Sequence, residues 1–201
     1  KQGVQVRLGV TEHLSAVLDR HPADAVVVAT GSSPAMPVVP GIERPEVMSA
    51  WQAMAEAAPN RREVVVVGGG SVGVETALHL AAHGSRITVV EMTDTIATGE
   101  SPTVLPFIHR EIARYGMRVL TGHRLLGIDD AGVHLAANDG GARCVKADQV
   151  VMAVGIRRNA SFRDELTALG LECHVVGDCA DDSPGTIAAA IRAGFRAGMS
   201  V

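Results

Sequence analysis

Aromatic residues are scarce in this 201-residue chain, with one Trp, one Tyr and three Phe. Few rings are available to stack on bases, and the Lys and Arg side chains form no run that could follow a phosphate backbone. With 18 basic against 22 acidic side chains and a formal net charge of -4, nucleic acid is not an expected partner. Long apolar runs are also lacking. The longest, such as Ala25–Thr30 and Val64–Val67, fall far short of the roughly 20 residues that span a bilayer, so no membrane segment is expected. Only three cysteines occur, Cys144, Cys173 and Cys179, without CxxC spacing or a signal peptide, and a reducing, cytoplasmic setting is expected. Neither Cys173 nor Cys179 has a cationic sequence neighbour or a helix N-terminus to lower its pKa, so both are expected to be redox-silent.

Small apolar residues and glycine are abundant instead: hydrophobic residues make up 47% of the chain, and there are 22 glycines. A core of Val, Ala and Leu suits buried parallel strands packed on small-residue helices. Three short Val-rich runs end in glycine: Ala25–Ala29 before Gly31, Glu63–Val67 before Gly68, and Gln149–Val154 before Gly155. A fourth, His174–Val176 before Gly177, is shorter. Val4–Leu8 also reads as a strand, and because the chain enters it directly from Lys1, it is expected to be a piece of a longer protein.

Four prolines in the stretch from Gly31 to Pro45, the last being Pro45 itself, read as a linker between domains. Helices are expected at Trp51–Ala58, stopped by Pro59-Asn60, at Val72–His83, stopped by Gly84, and at Thr103–Tyr115, stopped by Gly116. Strands are expected at Ile87–Val90 and Met117–Leu120, an antiparallel meander at Leu125–Val145, a closing strand at Asp148–Val154, and a final Ala-rich helix from about Thr186.

Gly68-Gly69-Gly70-Ser71-Val72-Gly73 fits GxGxxG. Gly68 allows the tight turn, Gly70 lets the backbone approach a pyrophosphate, and Gly73 lets the helix pack close to the strand. The pyrophosphate would meet the free N–H groups at the helix start, around Ser71 and Val72. The motif follows a four-valine strand and opens a helix, and Glu91 lies about 20 residues on at the end of the next strand. A carboxylate there can accept the ribose hydroxyls and would repel a 2′-phosphate, while Met92–Ala97 contains no Arg or Lys. NAD(H) is therefore favoured over NADP(H). Glu75 reads as a first-turn acid that complements the helix N-terminus. His79 and His83 have i, i+4 spacing but lack the glutamate of HExxH, and read as surface histidines.

Four signatures occur in order: Ala29-Thr30-Gly31, GGGSVGVE at Gly68–Glu75, Ala153-Val154-Gly155-Ile156 with Asn159, and Gly177-Asp178. Together they resemble the flavoproteins with two dinucleotide-binding domains, the pyridine nucleotide-disulfide reductase superfamily. The tail VVGDCADDSPGTIAAAIRAGFRAG is most similar to the C-terminal region of the dienoyl-CoA reductase and trimethylamine dehydrogenase branch of NADH:flavin oxidoreductases. The resemblance implies an α/β, three-layer, Rossmann-like NAD-binding domain at 62–158, inserted between parts of an incomplete FAD-binding domain, 1–58 with the linker and 159–201. It also implies that Ala29, Thr30 and Gly31 pass the FAD pyrophosphate, that Gly177 and Asp178 approach the ribityl chain, that Ala153, Gly155 and Ile156 line the nicotinamide side, and that Gly68, Gly70, Ser71, Val72, Gly73, Glu91 and Met92 hold the rest of NAD(H).

Two departures stand out. The GxGxxG that should precede the linker is absent, leaving the FAD site incomplete, and no redox-active disulfide motif is present. Within the resembled branch, electrons on FAD would leave through an iron–sulfur cluster and FMN in an N-terminal flavin domain of the parent chain. The expected function is hydride transfer between NADH and FAD. Two alternatives stay open: a structural ADP site in an amine-dehydrogenase-like flavoprotein, and a non-enzymatic NAD-sensing module.

Overall fold

The computed structural model describes residues 3–10, 13–55, 62–159, 161–181 and 185–201. In chain order the first elements are α1 (Leu14–Arg20), β1 (Ala25–Val28), β2 (Ser32–Pro34), β3 (Val47–Ser49), α2 (Ala50–Ala55), β4 (Glu63–Val67), α3 (Ser71–Ala82) and β5 (Arg86–Val90). They are followed by α4 (Leu105–Arg114), β6 (Arg118–Leu120), β7 (His123–Asp129), β8 (Gly132–Ala137), β9 (Ala142–Val145) and β10 (Gln149–Met152). The last are β11 (Ile156–Arg158), α5 (Ser161–Ala168), β12 (Glu172–Val175) and α6 (Ile187–Ser200), with a 3-10 turn at Gly177–Cys179. Two compact units result: Pro34–Arg157, and Lys1–Ser33 together with Arg158–Val201.

The unit Pro34–Arg157 is built on a five-stranded parallel sheet in the order β3-β10-β4-β5-β6. Side chains alternate across a strand, and β4 shows what the alternation achieves. Val64 and Val66 pack with Val74, Ala77 and Leu80 of α3, whereas Val65 and Val67 pack with Val133 and Leu135 of β8. The second face is covered by the antiparallel sheet β7-β8-β9. Helices, parallel sheet and antiparallel sheet thus form three layers. Burial on both faces explains why β4 is written in valine throughout rather than as an apolar–polar alternation.

The other unit centres on the parallel pair β1-β12. Its small core joins Val28, Leu166 and Cys179, with Leu14 and Leu18 of α1 and Phe162 of α5 packed against them. The Thr186 hydroxyl caps α6, accepting from the Ala189 N–H at 3.2 Å.

Several sequence expectations are corrected. Val4–Leu8 joins no strand and exposes its apolar side chains, since alternation without a partner ladder makes no sheet. The segment between Gly31 and Pro45 is not a free linker. Val39 and Ile42 pack on the core under β8, and the Ile128 N–H donates to Pro40 O at 2.9 Å. The segment's first residues form β2, and the prolines do not prevent the rest from packing. The compact unit begins at Pro34, within the proline-rich segment, and includes β3, which pairs with β10. The helix expected at Trp51–Ala58 is described as α2 to Ala55, and its last three positions, with Pro59-Asn60, lie outside the described residues. Glu75 is the fifth residue of α3 and stands beyond its first turn.

Leu80 is 1% exposed in the core between α3 and the sheet. Leu80→Ala is expected to cost about 2–5 kcal/mol in urea unfolding. A loss below about 0.5 kcal/mol, the range of surface substitutions, would contradict this packing.

Candidate dinucleotide-binding site

Because β3, β10, β4 and β5 are parallel, their carboxyl ends lie along one edge of the sheet, where ligands of open α/β sheets bind. A cavity of about 680 Å³ occupies this edge within the unit Pro34–Arg157. Gly68, Gly70, Ser71 and Val72 of the glycine turn line it, with Glu91 and Met92 beyond β5 and Ala153, Gly155 and Ile156 beyond β10. Gly73 does not line it and packs beneath the turn.

The glycines have separable tasks. Gly68 has φ +104°, and a Cβ there would come within 2.3 Å of Ala153 O. At Gly73 a Cβ would stand 1.9 Å from Gly68 O. Both therefore fix the turn against its own structure. Gly70, the N-cap of α3, has nothing within 4 Å of its would-be Cβ. No protein atom calls for glycine at that place, yet the space in front of it adjoins the free N–H groups of a 12-residue helix. Open space before a helix N-terminus suits an anionic group by charge.

Gly69 is constrained as well. A Cβ on it would meet Ile96 Cγ2 at 2.8 Å and Glu91 Cβ at 2.9 Å. Its N–H donates to Glu91 Oε2 at 2.6 Å, and its carbonyl accepts from the Ala97 N–H at 2.6 Å. Ala97 adopts φ +55° to make that contact. Glu91 Oε1 accepts from the Thr93 N–H at 2.8 Å and from the Thr93 hydroxyl at 3.0 Å. That hydroxyl has one proton and also faces Thr95 O at 2.9 Å. When it turns to Thr95, the carboxylate regains capacity to accept a further hydrogen bond, such as one from a ribose hydroxyl. Burial, the largest single influence, raises the Glu91 carboxyl pKa. The N–H groups of Thr93 and Gly69, the Thr93 hydroxyl and the Met92 N–H together outweigh it and hold the carboxyl below its ordinary value.

Three of the lining residues that escape sequence reasoning carry aromatic or cationic side chains. Trp51 arrives from α2, and His123 and Arg124 arrive from β7. Arg124 matters most to the expectation of NAD(H), since a search of Met92–Ala97 for a cation misses one that comes from the antiparallel sheet.

Ala29, Thr30, Gly31, Gly177 and Asp178 belong to the other unit. Asn159 gathers the first group: its N–H donates to Gly31 O at 3.0 Å, its Nδ2 donates to Thr30 O at 3.2 Å, and its Oδ1 accepts from the Ser33 hydroxyl at 2.9 Å. Arg158 Nη1 holds the 3-10 turn, donating to Asp178 O at 3.1 Å and to Ala180 O. Gly177, at φ +71°, lines a cavity of about 560 Å³ beside His174, Arg192 and Arg196, whereas Asp178 does not line it. Cys179 is fully buried, its thiol facing Val176 O at 3.0 Å. His83 Nδ1 lies 2.8 Å from His79 O. Among the described residues, no cluster of three or more His, Cys, Asp or Glu could hold a metal, and no helix is long and apolar enough to cross a membrane.

A three-layer Rossmann-like unit with a glycine turn opening onto a helix N-terminus defines a dinucleotide-binding oxidoreductase fold. The chain belongs to the pyridine nucleotide-disulphide oxidoreductase family, whose model matches residues 9–194. FAD and NAD(H) binding is typical of that family. The chain is 39% identical over 177 residues to the bilirubin reductase of Mediterraneibacter gnavus, covering 88% of this chain and 27% of that protein. It is 32% identical over 206 residues to the NADH oxidase of Thermoanaerobacter brockii, covering 100% of this chain and 31% of that protein. Among solved structures, a 2-naphthoyl-CoA reductase superposes with a TM-score of 0.84 at 25% identity, over 94% of this chain and 29% of that one. The chain thus spans less than a third of the length of these relatives.

Two outcomes follow from the site itself. Gly73→Ala is expected to lower the melting temperature by several degrees, whereas Gly70→Ala leaves it within about one degree. Equal melting of the two variants would refute the division of tasks. For Glu91, folding lowers the carboxyl pKa, so its contribution is fully present above the ordinary value near ~4.3 and fades as pH falls through the lower folded value. Urea unfolding should therefore find the wild type more stable than Glu91→Gln at neutral pH, with the gap closing below about pH 4. A gap independent of pH would show that the carboxylate charge is not the source.

Proposed function

We propose that residues 34–157 bind NAD(H), that the remaining residues form part of an FAD-binding domain, and that the parent protein passes hydride between NADH and FAD. The observation that carries this reading is the open space at Gly70, set in the same cavity as the Glu91 carboxylate. The residues present fit an adenosine ribose at Glu91 and a pyrophosphate at the start of α3. The cavity continues past β10 to Ala153, Gly155 and Ile156. A structural ADP site would use only its first half, so the extension favours the whole dinucleotide.

Bound flavin would supply the redox chemistry, accepting a hydride from NADH and passing the electron pair onward. No side chain of residues 34–157 need act as acid or base, since the protein contributes position and electrostatics. Ala29, Thr30 and Gly31, the last two tied to Asn159, and Gly177 and Asp178, the latter tied to Arg158 through its carbonyl, are proposed to face FAD. The resemblance of the tail to the dienoyl-CoA reductase and trimethylamine dehydrogenase branch extends the proposal to a further N-terminal flavin domain with FMN and an iron–sulfur cluster as the onward acceptor. Anaerobic mixing of the full-length protein with NADH tests the proposal. Loss of the visible absorbance of oxidised flavin in one turnover is expected, and flavin that stays oxidised would overturn it.

Nucleotide preference is the second test. Charge-assisted hydrogen bonds from ribose hydroxyls to Glu91 contribute roughly 1.5–3 kcal/mol. A 2′-phosphate about 4 Å from the carboxylate costs on the order of 4 kcal/mol at an effective dielectric near 20. Arg124 offsets part of that repulsion, so calorimetric titration should favour NADH over NADPH toward the lower end of about 10- to 1,000-fold. Glu91→Ala should strengthen NADPH binding, and Arg124→Ala in that background should remove the gain. Equal affinities in the wild type would show Glu91 to be an ordinary strand-end carboxylate.

A further inference from the structure

Trp51 is the only tryptophan of the chain. It lines the cavity while remaining 49% exposed, and neither its sequence context nor the glycine motif accounts for it. Its place along the sheet gives it a direction. The order β3-β10-β4-β5 sets the carboxyl end of β5, with Glu91, on one side of the glycine turn that follows β4. The end of β10 lies on the other side, and the end of β3 lies beyond it. Trp51 is the second residue of α2, which starts directly after β3. A dinucleotide with its adenosine ribose at Glu91 and its pyrophosphate before Gly70 must carry its remaining half toward β10 and β3. That half is the nicotinamide riboside.

We infer that Trp51 is a nicotinamide-binding residue, its indole forming a wall of the cavity at the end opposite Glu91. The inference rests on the NAD(H) reading above. The chemistry suits the ring: an indole face attracts a planar heteroaromatic by stacking, and in the oxidised nucleotide the pyridinium adds cation–π attraction, for which Trp is the best of the aromatic side chains. The surroundings leave the contact to Trp51. Pro34, Pro37 and Val154 line the same cavity but offer no aromatic face, and the imidazole-bearing His123 stands at the other end, its backbone N–H bound to Glu91 O at 2.9 Å.

The 201-residue chain can be titrated with NAD⁺, NADH and ADP-ribose, the last of which keeps the adenosine and pyrophosphate but has no nicotinamide. Trp51→Ala is expected to weaken NAD⁺ and NADH by about 3- to 30-fold and to leave ADP-ribose within about twofold, with NAD⁺ losing at least as much as NADH. Trp51→Phe should recover most of the loss. ADP-ribose binding doubles as the control for folding of the variant. Equal weakening of all three ligands, or no weakening of any, would overturn the inference while leaving the nucleotide reading in place. If the wild type bound none of the three, the NAD(H) reading would itself fail, and the inference with it.

Discussion

The backbone of Gly69 is held from both sides by the segment that follows β5, and the geometry of the cavity depends on that grip. Its N–H is bound by Glu91 and its carbonyl by the Ala97 N–H, each at 2.6 Å. Glu91 Cβ and Ile96 Cγ2 close over the place where a side chain would stand. Two loops that leave neighbouring strands are thereby tied into one surface, with the helix N-terminus of α3 and the Glu91 carboxylate in fixed relation. Ala97 accepts a left-handed backbone at φ +55°, a conformation uncommon for residues with a side chain, and the hydrogen bond to Gly69 accounts for it.

Behind this surface the parallel sheet acts as a rigid support. The valines of β4 are at most 5% exposed and alternate between the helical layer and the antiparallel layer. Close packing on both faces leaves little room for relaxation, so the carboxyl ends of β10, β4 and β5 stay in register. Precision at the cavity is inherited from the two cores. The hydrogen bonds of Asn159 and Arg158 do comparable work in the other unit, joining segments that lie far apart in sequence.

Legibility of the sequence followed the range of the interactions involved. The glycine turn, β4 and α3 were readable because strand, turn and helix are consecutive and each glycine answers a local steric demand. The three layers could be anticipated for the same reason, from continuous valine runs followed by a meander with its own turn residues. β3 was not readable: it has three residues, follows a proline-rich stretch, and owes its existence to pairing with β10, about 100 positions away. Trp51, His123 and Arg124 were missed because a cavity wall is a tertiary fact, and no spacing rule connects α2 or β7 to a glycine turn on β4. Val4–Leu8 shows the converse, a strand-like pattern with no ladder partner among the described residues. Asn159 lies in between: it belongs to a signature in the sequence, but its ties to Thr30, Gly31 and Ser33 are set by three-dimensional proximity.

The central claim is that a dinucleotide lies across the carboxyl edge of the sheet, with its direction set by the Glu91 end. A crystal structure of the chain with NAD⁺ tests this most directly. The account predicts the pyrophosphate at the N-terminus of α3 in front of Gly70, and a ribose hydroxyl on Glu91. A nucleotide bound in the reverse direction, or one that leaves the space before Gly70 empty, would contradict it.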